Sequence, residues 1–518
     1  MVAVLSVFLN IILFMLVLSL VICIHELGHL YFAKKAGILC HEFAFGMGPR
    51  LWSKKVGETI YSIRAIPFGG FVSMAGEEIE SEVVKVGDTV RLGFDEVGHV
   101  QAIVVSKKAT KVEGFMEVTV ERVDLLGKEG NELYINEYIV NKDASYVFTK
   151  NSIQIAPYNR NFNNKTAWER FKVMFGGPLM NLVLAFVLYL TLALIIGVPN
   201  YDSTVVNQVT DNYPASGVVL PGDEIVKING VDIYAWTSSE SIATVTTELS
   251  KTEENPTFVL TVIRDGVEVE LSPIAPQYLF FGLGFASDPT LTDGLYIGSP
   301  LYNGSEIKAG DEIVSINGIS FTTWAEVITY AKSYTTGSTN ENPTVLVVNR
   351  DGEELTFSYV SYGEDVLSAM GYSLFISQIG IAVGNHFSLL GGIESGFSRF
   401  GSGVLTIYKT LALVIKGDQV GVSDLSGFIG IYSITSAAAS QGILSLMGWV
   451  ALLSVNLGVV NLLPIPALDG GRITFLIYEK ITKRKIKPSV EGWINTVFFF
   501  MLIGLMIFIS YNDILRLF

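Results

Sequence analysis

The sequence predicts a polytopic α-helical membrane protein with four transmembrane helices, a large soluble segment on one side of the membrane and a small β insert on the other. Three observations lead to this fold class. The 518 residues are 50% hydrophobic and only 16% charged, whereas an average soluble chain carries roughly 25% charged residues. Uncharged apolar runs occur at four places. The net charge of −15 is concentrated between two of them, and this acidity makes nucleic acid a poor partner.

The first predicted helix occupies residues 1–36. Residues 1–24 hold no charge and would extend about 36 Å as a helix, enough to cross a hydrocarbon core of roughly 30 Å. A signal peptide would need a basic start, a shorter apolar core and a small-residue cleavage site, and these features are missing here. We therefore expect a retained membrane span.

Three more apolar runs complete the set of four spans. The second predicted helix covers residues 166–199 and starts at Thr166-Ala-Trp-Glu169, a capping-box pattern. The third covers residues 441–475 and has two prolines near its end. The fourth covers residues 490–513 and is rich in Phe and Met.

Basic residues orient these helices, because cytoplasmic loops carry an excess of Lys and Arg. Clusters of them follow the first span, precede the second and separate the third from the fourth. All three clusters lie on the cytoplasmic side only if both termini face outward, which places residues 200–440 outside the cytoplasm. The clusters are Lys34, Lys35, Arg50, Lys54 and Lys55; Lys165, Arg170 and Lys172; and Lys480, Lys483, Arg484, Lys485 and Lys487.

The outward segment contains an internal repeat. Gly222-Asp-Glu-Ile-Val-Lys-Ile-Asn-Gly230 returns as Gly310-Asp-Glu-Ile-Val-Ser-Ile-Asn-Gly318. The distance along the chain between the two copies is too long for one solenoid unit and fits two tandem domains. In each copy a strand pattern ends in Asp-Gly, which is a strong hairpin signal. Residues 201–380 carry 6 Lys and Arg against 24 Asp and Glu, a local charge of −18.

The repeated GDEIVxING core resembles bacterial PDZ domains. The resemblance implies two PDZ-like β/α domains, at residues 200–281 and 282–385, which would bind C-terminal peptides by adding them as a strand to an open sheet edge. A duplicated β domain without a ligand is the alternative. The quartet Gly282-Leu-Gly-Phe285 is similar to the carboxylate-binding loop of PDZ domains.

Three other regions have simpler patterns. Residues 37–80 are expected to form a membrane-associated β-hairpin region, and residues 81–165 a cytoplasmic β insert. Residues 386–440 form an amphipathic segment, in which 387–416 mix apolar stripes with charges. This pattern fits a helix on the outer membrane surface or a helix packed against the soluble domains.

The motif that carries chemistry is His25-Glu26-Leu27-Gly28-His29, directly after the first apolar run. Residues four apart share one face of a helix, so both imidazoles can bind one metal ion. This is the H-E-x-x-H zinc signature, in which the glutamate acts as general base. Two interfacial histidines with a capping glutamate are the structural alternative. Ionisable groups at the end of a membrane span are costly and are functional by default.

Zinc also needs a third protein ligand and an open position for water. His41 is within reach but belongs to a different local element, His99 lies in the β insert, and His386 is expected on the opposite side of the membrane. Asp469, in Asn461-Leu-Leu-Pro-Ile-Pro-Ala-Leu-Asp469-Gly-Gly471, follows the third apolar run at a depth similar to that of His25. The prolines bend this backbone and the glycines allow close approach, so Asp469 is the better candidate.

The HELGH motif, FGGPLMN at 175–181, the tandem repeat and NLLPIPALDGG together resemble the site-2 protease family of intramembrane zinc metalloproteases, of the bacterial regulator-of-sigma-E type. The resemblance covers nearly the whole chain in order. It implies that His25, His29 and Asp469 bind Zn²⁺ and that Glu26 is the catalytic base. The stretch from Asp424 to Gly430 is also similar to the family pattern, with Phe428 in place of a proline.

The resemblance also implies a function and a location. The protein would be a multi-pass zinc endopeptidase of the bacterial inner (plasma) membrane, with the PDZ-like domains outside and the active site near the cytoplasmic side. Its role would be regulated intramembrane proteolysis. It would cleave single-span membrane proteins, such as anti-sigma factors or signal-peptide remnants, after another protease has trimmed their outer domain.

Five residues are predicted to contact the substrate. Residues 58–72 alternate like a strand and turn at two glycines, so they could offer an edge to which an extended substrate adds, as a membrane-dipping hairpin does in the similar proteases. Two asparagines of the third span could hydrogen-bond the substrate backbone, or could cap and pack neighbouring helices. The set is Ile63, Gly69, Gly70, Asn456 and Asn461.

Two other classes of function compete with a protease. A membrane-anchored PDZ adaptor with an inactive metal site is disfavoured by the intact HELGH motif together with Asp469. A metal transporter would need polar residues distributed through the spans, whereas the candidate metal residues lie at one end of them.

Overall fold

The structure is a computed structural model of the chain, which falls into two compact units: residues 1–188 with 431–506, and residues 189–430 with 507–518. Both units combine helices with small β-sheets. The structure describes all residues except 1, 77–82, 106–114, 128–131, 149–151, 211–212, 238–241, 243–244, 247–256, 281–282, 287–294, 301–306, 309, 323–325, 327–328, 331–332, 334–336, 340, 364–365, 368–375, 417–420, 423–424, 485, 487 and 516–518.

The helices account for the predicted membrane part. Those in the described part of the chain are α1 (Val2–Lys35), α2 (Ala167–Ile196), α3 (Leu389–Lys416), α4 (Phe428–Ser440), α5 (Ile443–Asn461), α6 (Asp469–Thr482) and α7 (Pro488–Leu515), with 3₁₀ turns at Tyr158–Arg160 and Phe162–Asn164. Helices α1, α2, α5 and α7 are long and apolar enough to cross a membrane. The predicted number of spans is thus confirmed by length and composition.

The capping box predicted for α2 is also confirmed. Thr166 Oγ1 accepts a hydrogen bond from the Glu169 N–H at 3.3 Å, and Glu169 Oε2 accepts one from the Thr166 N–H at 3.0 Å. The reciprocal pair satisfies backbone donors that a helix start otherwise leaves without partners.

The third predicted span is divided into two helices. Helix α5 ends at Asn461, and the LDG motif begins the separate helix α6 at Asp469. The intervening residues 462–468 contain Pro464 and Pro466, which cannot donate backbone hydrogen bonds to a continuing helix. The helix therefore stops at Asn461, and the carboxylate of Asp469 lies at the start of a new helix.

Strands β1 (Cys40–Val56) and β2 (Thr59–Met74) form the predicted hairpin region, and both bend so that each contributes two segments to a small sheet. Residues 43–45 pair with 70–72 on one side and with 61–63 on the other, and residues 52–56 pair with 59–63. Among the described pairings, residues 70–74 therefore form one edge of this sheet.

The β insert is confirmed as a sheet of short strands around its own apolar core, which includes Leu92, Ile103, Ile135 and Ile155. The strand order is β5-β3-β4-β8-β7-β6, with β9 paired to β8. The strands are β3 (Thr89–Phe94), β4 (Val100–Val104), β5 (Met116–Thr119), β6 (Val123–Asp124), β7 (Leu133–Ile135), β8 (Tyr138–Val147) and β9 (Ser152–Gln154).

The second unit holds the repeat. Its strands are β10 (Val198–Pro199), β11 (Val206–Val209), β12 (Glu224–Ile228), β13 (Val231–Asp232), β14 (Leu260–Arg264), β15 (Val267–Glu270), β16 (Gln277–Phe280), β17 (Leu283–Ala286), β18 (Leu295–Pro300), β19 (Glu312–Ile316), β20 (Thr344–Arg350), β21 (Glu353–Tyr359), β22 (Ile376–Gln378), β23 (Ile381–Val383) and β24 (Asn385–His386). One sheet has the order β13-β12-β14-β15 and a second the order β21-β20-β19-β18-β17-β16-β22.

Both predicted Asp-Gly hairpins are present. Asp265-Gly266 joins β14 to β15 and Asp351-Gly352 joins β20 to β21, and all four residues have positive φ angles, as a type I′ turn requires. Gly282 of the GLGF quartet lies outside the described residues. Strand β23 pairs with β11, so the chain returns to the first copy of the repeat after completing the second.

Both copies of the repeat use the same ion pair between a buried Asp and a partly exposed Arg. Arg264 donates to both carboxylate oxygens of Asp223 at 2.7 Å, and Arg350 donates to both of Asp311 at 2.6 Å. The Arg264 hydrogen bonds hold the pKa of Asp223 below its usual range. Burial alone would raise the pKa of Asp311, but the hydrogen bonds from Arg350 and from the Lys308 N–H, together with the positive charges of both residues, lower it overall.

The Phe428 departure from the family pattern falls at the first residue of α4. Proline is favoured at the first position of a helix because the N–H there has no helical acceptor. Proline is only a preference at this position, and the helix also forms with phenylalanine there. The Gly427 and Gly430 N–H groups donate to Asp513 Oδ2 at 2.8 and 3.0 Å. This carboxylate caps the helix start.

Candidate active site

Glycines let α1 and α2 cross in backbone contact beside the HELGH motif. A Cβ on Gly28 would lie 2.1 Å from the Gly176 carbonyl oxygen, and a Cβ on Gly177 would lie 2.4 Å from His29 Nε2 and 2.7 Å from His25 Nε2. Small residues permit such close approach of membrane helices. The FGGP sequence of α2 is therefore the surface against which both imidazoles pack.

Three side chains converge at this crossing. His25 Nε2 and His29 Nε2 are 3.1 Å apart, and Asp469 Oδ2 lies 3.0 Å from the first and 3.5 Å from the second. Ligand atoms around one tetrahedral zinc ion, each at its usual bond length, lie about 3.3 Å from one another. The triangle therefore has the size that zinc requires. His41, His99 and His386 do not join this group.

The tautomer of His29 also fits a metal site. Its Nδ1 lies 2.7 Å from the Val173 carbonyl oxygen, which only accepts, so Nδ1 carries the proton and Nε2 presents a lone pair. That lone pair faces His25 Nε2 and the Asp469 carboxylate. A cation stabilises such a set of electron-rich atoms, and a hydrogen bond at the far ring nitrogen is typical of metal-ligating histidines.

Asn181 of α2, fully buried, contacts the far ring nitrogen of His25. Its Nδ2 lies 3.3 Å from His25 Nδ1, while its Oδ1 is buried without a hydrogen-bond partner among the described residues. Rotating the amide by 180° exchanges these atoms, so that Oδ1 accepts the proton of Nδ1 and His25 Nε2 is free to bind a metal. Ser454 of α5 donates to the Asn181 carbonyl at 2.8 Å.

Glycines also place Asp469. A Cβ on Gly470 would lie 2.1 Å from the Leu463 oxygen, and a Cβ on Gly471 would lie 2.4 Å from the Ile465 oxygen. The start of α6 thus packs directly on the backbone of residues 462–468. The close approach expected from the glycines of the LDGG sequence is confirmed.

Two polar contacts fix this arrangement further. Ala467 has φ 73°, a left-handed conformation that residues with a side chain rarely adopt, and its N–H donates to Asn495 Oδ1 on α7 at 3.1 Å. At the other end of α6, Glu479 accepts a hydrogen bond from Arg170 of α2 at 3.0 Å. Both side chains of this ion pair are mostly buried.

Glu26 lies beside the triangle and is held by the edge of the small sheet. Its Oε2 accepts a hydrogen bond from the Val72 N–H at 3.1 Å, which leaves Oε1 as the oxygen available for proton transfer. The same contact shows that the Val72 N–H points away from β1 and toward the cavity.

A cavity of about 890 Å³ surrounds these groups. Its walls come from α1, β2, α5, the 462–468 loop, α6 and α7, and they combine apolar side chains with a few polar ones. The lining residues are Ile22, His25, Glu26, His29, Val72, Met74, Leu457, Asn461, Ala467, Leu468, Asp469, Arg472, Asn495, Thr496, Phe499 and Phe500.

The five predicted substrate contacts lie in different places. Asn461 lines the cavity, and Asn456 does not. Gly70 pairs with Phe45 at the sheet edge, and the Gly69 carbonyl accepts a hydrogen bond from the Cys23 thiol. Ile63 pairs with residues on both sides of its segment and does not line the cavity.

Sequence reasoning gave no role to Asn495, and it used Asn181 and the two glycines of α2 only as part of the FGGPLMN motif. Asn181 is 156 residues from the histidine that it contacts, so no local pattern connects them. The signal available in the sequence was the pair of small residues in FGGP, which is typical of helices in close contact.

Known proteins resemble this chain over nearly its whole length. Peptidase family M50 matches residues 13–505. Zinc metalloprotease RasP of Shouchella clausii is 33% identical over 518 residues, 98% of each chain. Zinc metalloprotease RasP of Bacillus licheniformis is 33% identical to this chain, and regulator of sigma-W protease RasP of Bacillus subtilis is 32% identical. Each of these two alignments spans 519 residues and covers 98% of this chain and 99% of the relative.

Proposed function

Because the chain belongs to peptidase family M50 and is an intramembrane zinc protease, we propose that it hydrolyses peptide bonds within the transmembrane segments of single-span membrane proteins. The cleavage follows removal of the substrate's outer domain by another protease. The observation that carries this proposal is the placement of Glu26 beside the His25, His29 and Asp469 triangle, at the edge of a strand and in one cavity.

The residues of the site have separate roles. The two histidines and the aspartate would hold Zn²⁺, which would supply Lewis-acid polarisation of the scissile carbonyl and lower the pKa of water to near 7. Glu26 Oε1 takes that proton and returns it to the leaving amine. The Val72 N–H keeps Oε2 turned away, so the carboxylate presents a fixed oxygen to the reaction.

The substrate binds as an extended strand along residues 70–74. A peptide bond in a transmembrane helix is protected by the helix's own hydrogen bonds, so the unwound segment needs new backbone partners. The edge of the sheet supplies them, since backbone groups at an edge can pair with an added strand; the Val72 N–H, which Glu26 holds, is not one of these partners. Gly69 and Gly70 shape the turn that leads into the edge, and Asn461 hydrogen-bonds the substrate from the opposite wall.

Ile63 and Asn456 act at a distance from the bound strand. Ile63 is exposed on the hairpin region, where it contacts the part of the substrate that is still helical. Asn456 is half-buried on α5 and packs the helix that presents Asn461.

The outward domains decide which substrates reach the site. The two PDZ-like domains lie on the extracytoplasmic side, where they bind a newly made C-terminus or exclude substrates with a bulky outer domain. Helix α3 rests on the outer membrane surface, consistent with its exposed Leu390, Phe397 and Ile415. The Bacillus subtilis relative is named regulator of sigma-W protease, and this name suggests anti-sigma factors as the substrate class.

A reconstituted reaction tests the proposal. Purified wild type and Glu26→Gln are incubated in detergent with a single-span reporter that lacks an outer domain, with and without a zinc chelator. We expect the wild type to cleave within the span, Glu26→Gln to be about 10²–10⁴-fold slower, and chelation to stop cleavage until zinc is restored.

The matched control is Glu491→Gln, which makes the same change in the first turn of α7, away from the cavity lining. Equal cleavage by wild type and Glu26→Gln, or cleavage outside the span only, would contradict the proposal.

A further inference from the structure

A second cavity of about 480 Å³ lies between β2, the β insert and α6. This volume is within the usual range for sites that bind a ligand group. Its walls combine apolar side chains, from Phe71 on the sheet edge to Leu125, Phe148 and Ile153 of the insert, with polar ones, namely His41, Ser73, Gln154 and Arg472.

The two cavities adjoin one another. Val72, Met74 and Arg472 line both of them, so the edge formed by residues 70–74 runs past the catalytic groups and continues along the second cavity. The Val72 N–H points to the cavity side, and residues two apart in an antiparallel strand direct their backbone groups the same way. Met74 therefore faces the second cavity with the same geometry.

The insert supplies the opposite wall. Ile153 lies in β9, which among the described pairings has a neighbour on one side only, β8. Phe148 and Ile153 are 36% and 40% exposed, so their apolar surfaces face open space rather than the core of the insert. An apolar side chain that enters the cavity would cover this surface and remove it from water.

Given the protease function proposed above, we infer that the second cavity is a substrate subsite. The strand bound along residues 70–74 continues past the catalytic groups and inserts a bulky apolar side chain, Leu or Phe in size, between the edge strand and β9. The β insert is thus a specificity-determining part of the enzyme.

Kinetics with paired reporters test the subsite. Single-span reporters carry Leu or Ala at successive positions next to the cut, and each is cleaved by wild type, Ile153→Ala and Phe148→Ala. We expect kcat/KM to fall about tenfold for Leu at one position and to be unchanged for Ala at that position, because one side chain in an apolar pocket gives discrimination of this size.

The control is Ile139→Ala, which removes the same side chain from β8, also exposed, but touches neither cavity. If Ile153→Ala and Phe148→Ala behave like Ile139→Ala on every reporter that the wild type cleaves, the subsite is refuted while the protease function stands. If the wild type cleaves no reporter, the protease function fails instead.

Disulfide trapping gives a readout that does not depend on activity. Ile153→Cys and Ile139→Cys are each combined with Glu26→Gln and mixed with reporters that carry one cysteine, since both native cysteines are buried. We expect a disulfide from Ile153→Cys at one or two neighbouring reporter positions and none from Ile139→Cys. Equal trapping by both variants would overturn the inference.

Discussion

At residue scale, the candidate metal centre depends on the absence of a side chain at Gly177 of α2. A Cβ at Gly177 would stand 2.4 and 2.7 Å from the two histidine Nε2 atoms, closer than any Cβ contact allows. The methyl group would displace the imidazoles from the positions in which both Nε2 atoms face one point.

We therefore expect Gly177→Ala to lose most of its bound zinc and at least 100-fold in reporter cleavage. Zinc per chain, measured by mass spectrometry of the metal, and cleavage rate are the readouts. Gly504→Ala is the control, because a Cβ there has nothing within 4 Å and alanine is the better helix former. Normal zinc content in Gly177→Ala would contradict this view of the helix crossing.

Asn181 gives a second residue-scale prediction. Replacing it with leucine removes the acceptor for His25 Nδ1–H, and loss of such outer partners typically weakens metal binding 10–100-fold. Chelator competition measures the zinc affinity. Asn10→Leu, the same substitution at the far end of the membrane part where Asn10 contacts Ser436, should bind zinc like the wild type; a similar loss in both variants would indicate general damage.

The sequence was sufficient to name the three candidate metal ligands and the base, since helical spacing puts His25 and His29 on one face and membrane depth selects Asp469. It was insufficient for Asn495 and Asn181. Their roles depend on which turn of one helix meets which turn of another, and side chains far apart in the chain carry no local pattern of their contact.

At element scale, the repeated GDEIV sequence makes the same Asp–Arg contact in both of its copies. The Asp of each GDEIV sequence is buried and accepts two hydrogen bonds from an Arg at the end of β14 or β20. The same Asp caps its own loop, since Leu220 N–H donates to Asp223 and Lys308 N–H to Asp311.

The lowered pKa of Asp223 predicts a pH dependence. An unfolded Asp has a pKa of about 3.9, so the ion pair stabilises the fold above roughly pH 4, and this contribution is lost as the pH falls through the lower folded value. Asp223→Asn should cost about 2 kcal/mol at pH 7.

Urea unfolding of the detergent-solubilised protein measures this, and the difference between wild type and variant should shrink below pH 4. Asp265→Asn, in the exposed turn of the same hairpin, should be neutral because Asn tolerates a positive φ. A difference that stays constant with pH would refute the assignment to this carboxylate.

The elements themselves were predicted to different degrees. The long spans, the capping box and the Asp-Gly hairpins follow from local chemistry, and the structure has all of them. The break after α5 also follows from local chemistry, since Pro464 and Pro466 come directly after it. The double pairing of β1 and β2 does not, because it depends on where the chain can fold back against its neighbours.

At the scale of the whole molecule, net charge distinguishes the segment 201–380 from the rest of the chain. The segment 201–380 carries −18 and the rest of the chain +3, with basic clusters beside the spans. If the positive-inside rule decides the orientation, Glu353 faces outward and Lys142 faces the cytoplasm; both residues are exposed.

Cysteine labelling in intact cells checks this orientation. A membrane-impermeant maleimide should label Glu353→Cys directly and Lys142→Cys only after permeabilisation. The wild type supplies the background, which should be low because Cys23 and Cys40 are buried. The reverse order of labelling would invert the topology.

The candidate ligands of the metal come from opposite parts of the chain, two from α1 and one from the start of α6. Since a ribosome makes the chain from its N-terminus, a growing chain presents both histidines and Glu26 long before Asp469 exists. The site is complete only when α6 has been synthesised and α7 supplies Asn495 to the preceding loop. If these residues are the ligands, we expect the chain to have no activity until α6 and α7 have been made.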